Sequence, residues 1–223
     1  MGPRGAYPAD RAAALSGVPR STVHYWARQE ILVPSLSAEK VKLWSYADLM
    51  ALRTIYWLRQ RKQSPGGHDV PPSSMPAVRR ALGELRELDL DLWNEEGGPT
   101  VAVDQAGRVI LDPHGLPATD EHQLVAHSDS LDLIHPFPTR EGAEGPDLQR
   151  PRPNLRIVPG KLAGSPHVAR SRVETRALAA LARRGMGTGK IARLYPSLEA
   201  AAIDEALDLE QQLERNLSVA IAA

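Results

Sequence analysis

The chain has 223 residues, 42% of them apolar and 24% charged, with 4% aromatic residues and no cysteine. That is globular usage for one or two domains, and it excludes thiolate catalysis, Cys-ligated zinc, iron–sulfur clusters and a large aromatic-lined catalytic pocket. The net charge of zero hides a segregation: residues 1–62 hold 10 Lys and Arg against 4 Asp and Glu, residues 63–150 hold 6 against 16, and residues 151–223 hold 11 against 7. A basic head on an acidic middle points to an anionic partner for the head, nucleic acid first. The opening MGPRGAYPAD has no apolar leader pattern, and no run approaches the roughly 20 apolar residues that span a bilayer, so a cytoplasmic chain without membrane contact is expected.

In the head, Tyr7 to Ser16 carries Ala12, Ala13 and Leu15 at helical spacing, Gly17-Val18-Pro19 breaks it, and a second helix starts near Arg20. Val23 and Trp26 fall three apart and face inward, which leaves Arg20, Ser21, Thr22, His24, Tyr25 and Arg28 outward. Such a face suits DNA: arginine takes guanine O6 and N7 in a fork, hydroxyls bind phosphates or bases, and a helix N-terminus attracts phosphate. After Ile31-Leu32-Val33-Pro34 a polar hairpin-like stretch holds Lys40 and Lys42 where a wing belongs. A third helix follows, capped by Ser45, with Leu49, Leu52, Ile55, Tyr56 and Leu58 for the core. The segments SGVPRSTVHYWARQEILVP and KVKLWSYADLMALR resemble the winged helix-turn-helix of the MerR-like family. That family usually has Gly where Glu30 stands, which bears on the turn leaving the recognition helix, and its metal sensors use cysteines that this chain lacks.

Ser64-Pro65-Gly66-Gly67, Pro71-Pro72-Ser73-Ser74 and the stretch from His135 to Pro153 read as linkers. Between them Ala81, Leu85, Leu88 and Leu92 mark a helix, and residues 100–104 and 108–112 read as two strands around Gln105-Ala106-Gly107. From His114 to Pro138, His122, His127 and His135 lie near Asp120, Glu121, Asp129 and Asp132. The spacing of five between 122 and 127 misfits a helical ligand pair, so a solvated acidic loop is expected rather than a metal site. His127, Ser128 and Asp129 are sequence neighbours, which does not make a triad; neither enzyme activity nor a cofactor is expected.

The tail starts strand-like at Leu155 to Gly160 and turns at Gly164-Ser165-Pro166. Three helices follow: Val173 to Arg184 with Leu178, Leu181 and Ala182 on one face; Gly189 to Leu194, capped by Thr188; and Leu198 to Leu217 with Ala202, Leu207, Leu209 and Leu213. The string Gly185-Met186-Gly187-Thr188-Gly189-Lys190 is not a phosphate loop, because Arg184 and Ile191 stand where that loop needs Gly and Ser or Thr. Gly164/Pro166, Ser171-Arg172, Gly185 and Tyr195-Pro196 make the tail resemble a small helical family of bacterial antitoxins, with Ser171 where that family usually has Gly. The resemblance implies a VapB-type antitoxin whose partner is a PIN-like ribonuclease. Arg170, Arg172, Arg183 and Arg184 are the candidates to meet that nuclease's carboxylates, since guanidinium forks suit them.

The expected fold is mainly α: a winged helix-turn-helix over 1–62, an acidic helix-plus-hairpin region over 63–150 and a three-helix bundle over 151–223. The expected function is an antitoxin that binds a toxin and represses its own operon on operator DNA, as a homodimer matching a palindrome. The alternative is a free-standing, ligand-responsive MerR-like regulator.

Overall fold

The computed structural model describes residues 5–63, 69–87, 100–103, 109–112, 130–139 and 142–219. Among them the chain is mainly helical, with only short antiparallel strand pairs and one three-stranded sheet. The elements in chain order are β1 (Tyr7–Pro8), α1 (Ala9–Ser16), α2 (Arg20–Arg28), β2 (Leu43–Trp44), α3 (Tyr46–Leu58), β3 (Lys62–Gln63), β4 (Asp69–Val70), α4 (Met75–Glu87), β5 (Thr100–Val103), β6 (Val109–Asp112) and β7 (Ser130–Asp132). They continue with β8 (Phe137–Pro138), β9 (Glu144–Gly145), β10 (Leu155–Arg156), β11 (His167–Val168), α5 (Thr175–Arg183), α6 (Thr188–Leu194) and α7 (Ala200–Val219). No helix among the described residues is long and apolar enough to cross a membrane.

The compact units do not follow chain order. Residues 1–49 and 135–223 form one unit and residues 50–134 the other, with the cut inside α3. The head and the tail, separated by the acidic middle in sequence, are therefore folded together. Helix α1 is the reason, because it packs on α2 with one side and on α7 with another. Its Ala12, Ala13, Ala14 and Leu15 are all buried, and small side chains allow that close double approach.

Polar bonds lock the same junction. Arg11 of α1 donates a two-pronged fork to Glu210 of α7 at 2.7 Å on each oxygen, and the Thr175 hydroxyl at the start of α5 also donates to Glu210. Burial pushes the Glu210 carboxyl up, but the Arg11 fork and the Thr175 hydroxyl outweigh it and hold Glu210 below its ordinary value. The Asn216 amide of α7 donates to Ala14 O at 2.9 Å and Glu144 O at 2.7 Å and accepts from Glu144 N at 3.0 Å. Tyr7 donates its hydroxyl to Gly164 O at 3.0 Å, while Gly5 N and Ala6 N bond Pro159 O and Ala163 O. Burial raises the Tyr7 phenol well above its usual range, so it stays a donor.

The tail's turn is left-handed for three residues, Leu162, Ala163 and Gly164, and it is this turn that receives Tyr7. The stretch from His135 to Pro153 is not a loose linker. It forms the β8–β9 pair, buries Phe137 and Leu148, and accepts the Tyr46 hydroxyl at Leu148 O. Burying those two side chains and satisfying their neighbouring carbonyls offsets the entropy of ordering a Gly- and Pro-rich segment.

In the tail, α5, α6 and α7 are the three expected helices, with Leu178, Ile191, Ile203, Leu209 and Leu213 in the core. β10 pairs with β11 ahead of them, and buried His167 turns Nδ1 toward Ser165 O. Burial pulls the His167 imidazole down, which keeps it neutral. Thr188 does not cap α6. It is the first residue of the helix and Gly187 holds the N-cap, so the Thr188 hydroxyl is free to donate to Asp204 of α7 at 2.9 Å.

In the second unit β5 pairs with β6 from Thr100↔Asp112 to Val103↔Val109, as the alternation predicts, and α4 packs on β6. β7 pairs along the other edge of β5, making three strands where two are expected. Ser73 is also docked rather than free: its N–H bonds Leu58 O and its carbonyl accepts from Arg59. The turn at Gln105 to Gly107, Leu88, Leu92, Ser64 to Gly67, and the histidine-bearing stretch with Asp120, Glu121, His122, His127, Ser128 and Asp129 lie outside the described residues.

Candidate nucleic-acid interface

Gly17 ends α1 and Pro19 sets the start of α2, giving the helix, tight turn and helix read from the sequence. Val23 and Trp26 are buried, with Val23 fully inaccessible, and so fix which side of α2 faces inward. Arg20, Ser21, Tyr25 and Arg28 are exposed, and Thr22 and His24 are partly exposed. No side chain caps the N-terminus of α2, so no cap side chain takes up its first amides beside Ser21 and Thr22.

Glu30 has φ +51, the left-handed conformation that glycine favours, and Ile31 N bonds Trp26 O at 2.9 Å. This is a left-handed helix stop of the kind glycine favours, and the glutamate carries its strain. Glu30→Gly is expected to stabilise the chain by about 1 kcal/mol in chemical denaturation and to leave DNA binding intact. A variant no more stable than the parent would show that Glu30 has a compensating role.

The wing is present. Leu43 N bonds Ser37 O at 2.9 Å and Ser37 N returns to Leu43 O at 3.2 Å, closing a loop with Lys40 and Val41 exposed and Lys42 partly so. Behind it Ser45 and Asp48 cap α3 reciprocally: Ser45 N donates to Asp48 Oδ2 at 2.8 Å, and Asp48 N to the Ser45 hydroxyl at 3.2 Å. Ser35 adds its N–H and hydroxyl to the same carboxylate, which pins the base of the wing to α3.

The charge on this face is thinner than the head's total implies. Arg20 Nε sits 2.7 Å from Asp10, and Glu30 and Glu39 are exposed close by in sequence. Arg53, which contributes to the basic count, is fully buried and donates to Leu133 O and Ile134 O. Its guanidinium satisfies carbonyls of its own unit, so it does not face a partner.

The four tail arginines do not form one cluster. Arg170 and Arg172 lie in the turn after β11, where Arg170 takes φ +58 and the Ser171 hydroxyl closes the turn by donating to Val168 O and accepting from Val173 N. Arg183 and Arg184 lie at the far end of α5, whose nine residues span about 13 Å. All four are exposed, and Arg183 pairs with Glu214 of α7. Sequence reasoning missed the residues that join head to tail, Arg11, Glu210, Thr175 and Asn216. Their only signal was polarity on otherwise apolar helix faces, which a solvated face explains equally well. Among the described residues no group of three or more His, Asp or Glu is placed to hold a metal ion.

Residues 7–67 match a family described as MerR HTH family regulatory protein, and residues 156–209 match a family described as a protein of unknown function, DUF433. No curated protein and no solved structure matches the chain. The winged helix-turn-helix and the helical tail built above coincide with these two segments. The chain carries a MerR-family helix-turn-helix domain, a DNA-binding module of transcription regulators, at its N-terminus and a DUF433 domain at its C-terminus.

Proposed function

We propose that the chain is a dimeric autorepressor and the antitoxin of a type II pair: α2 and the wing hold operator DNA, and the tail neutralises a PIN-like ribonuclease. The observation that carries the DNA half is the division of α2, with Val23 and Trp26 buried and Arg20, Ser21, Tyr25 and Arg28 outward beside a formed wing. The toxin half rests on the antitoxin-like pattern of the tail and on its exposed arginines, of which Arg170 and Arg172 are better placed than the paired Arg183. Because α1 packs on both α2 and α7, a partner on the tail has a short physical route to the recognition helix.

Arg28→Ala is expected to weaken binding to the chain's own promoter by about 1–3 kcal/mol, and Lys42→Ala to lower the slope of log K against log salt by about one. Gel shifts indifferent to both would remove the head's role. For the tail, a tagged copy expressed from its own operon should co-purify with a second small protein whose ribonuclease activity appears on separation. A chain that purifies alone, binds its promoter and melts higher with a small molecule would replace the antitoxin by a ligand-responsive regulator.

A further inference from the structure

From Thr175 to Leu198 the chain has five cationic residues, Arg176, Arg183, Arg184, Lys190 and Arg193, and no Asp or Glu. This stretch is α5, α6 and the turn between them, and all five side chains are exposed. Carboxylates from neighbouring positions neutralise only part of it: Glu174 pairs with Arg176, and Glu214 of α7 pairs with Arg183. Asp204 of α7 takes the Thr188 hydroxyl. Arg184, Lys190 and Arg193 have no ion pair among the described residues.

The turn adds a second observation. Gly185 has φ +83 and closes α5, so its glycine is explained locally. Gly187 is the N-cap of α6, where glycine is favoured over alanine, so it too is explained locally. Gly189 is not: it has no positive φ, and a Cβ there would meet nothing within 4 Å. The chain thus keeps bare backbone at Gly189, in the first turn of α6 and close in sequence to these cations, that neither its conformation nor its packing requires.

Bare backbone among unpaired cations fits a broad anionic polymer that must come close. A protein partner needs an apolar centre, and Leu194 is the only large apolar side chain of this corner that is more than half exposed, at 57%. The face made by α2 and the wing is thinly charged, since Arg20 is paired and Arg28, Lys40 and Lys42 are the other Lys and Arg residues of these two elements. We infer that the α5–α6 corner, Arg184, Lys190 and Arg193 with the bare backbone at Gly189, is a second surface for the phosphodiester backbone of duplex DNA, carried on the same compact unit as the recognition helix.

The test uses the full chain and fluorescence anisotropy with two labelled duplexes, one from its own promoter and one of unrelated sequence. With Arg184, Lys190 and Arg193 all changed to alanine, the salt slope should become shallower by about two to three on both duplexes, with the melting temperature unchanged. Gly189→Ala should weaken binding to both duplexes while leaving the fold as stable or more so. A triple variant with the parent's slope overturns the inference, and if Arg28→Ala still weakens promoter binding in that experiment, the head's role survives. A triple variant that binds DNA normally but no longer co-purifies with an operon partner also overturns it, and assigns the corner to an acidic protein surface.

Discussion

Arg11→Ala is expected to destabilise the unit that holds head and tail by about 3 kcal/mol, or roughly 6–12 °C in Tm. Glu210 is buried, and Arg11 supplies two of its three hydrogen bonds. Without the guanidinium, a carboxylate remains out of water with a single hydroxyl donor. The effect depends on pH in a defined direction. Glu210 is held below its ordinary value of 4.5 in the folded chain, so its contribution is present above that value and is lost as pH falls through the folded value. In the variant, burial without the arginine raises the carboxyl instead, and protonation relieves it. The gap between parent and variant, measured by urea denaturation, should therefore be widest near neutrality, start to shrink above pH 4.5 as the raised carboxyl of the variant takes up its proton, and shrink further below pH 4.5 as the parent loses its own contribution. Arg11→Met with Glu210→Leu should recover much of the loss, because an apolar pair leaves no buried charge. A gap that does not change with pH would mean that packing of the Arg11 stem, rather than the charge pair, is what the substitution removes.

Gly164→Ala is expected to cost about 3–4 kcal/mol. The residue has φ +81, and a Cβ there would stand 2.1 Å from the Tyr7 hydroxyl oxygen and 3.1 Å from Gly5 Cα. Tyr7 is buried and cannot swing into solvent, so the clash breaks its bond to Gly164 O and shifts β1 against the tail. Tyr7→Phe alone should cost about 1–2 kcal/mol for the unpaired carbonyl. Combined with Gly164→Ala the loss should fall well short of the sum, since the phenylalanine removes the atom the methyl group strikes. Additive losses in that cycle would place the strain of Gly164→Ala in its own backbone and not in the contact with Tyr7.

Much of the local structure was legible in the sequence. Period-3.6 apolar spacing located α1, α2, α3 and the three tail helices, since a helix must bury one stripe and its neighbours record which. Ser45 was recognisable as a cap from its place ahead of the apolar-periodic run, and the structure adds Asp48, three residues on, as its reciprocal partner. The division of α2 into inward Val23 and Trp26 and an outward polar face followed from their spacing alone. Thr188 misled because the helix starts one residue earlier than its sequence suggests: Gly187 takes the N-cap, and the Thr188 hydroxyl donates to Asp204, 16 positions away in sequence. Glu30 misled in the opposite sense, because tertiary context imposed on it the left-handed turn that its own preference resists.

What the sequence by itself determined is the inventory of elements and the chemistry of the outward face of α2, because both depend on neighbours within one or two helical turns. What only the tertiary structure decided is that head and tail are one unit. That depends on Arg11 meeting Glu210, Tyr7 meeting Gly164 and Asn216 meeting Ala14, pairs separated by 199, 157 and 202 positions. Hydrogen bonds of that range leave no periodic trace in a chain, since only the folded path of the backbone brings the donor to its acceptor.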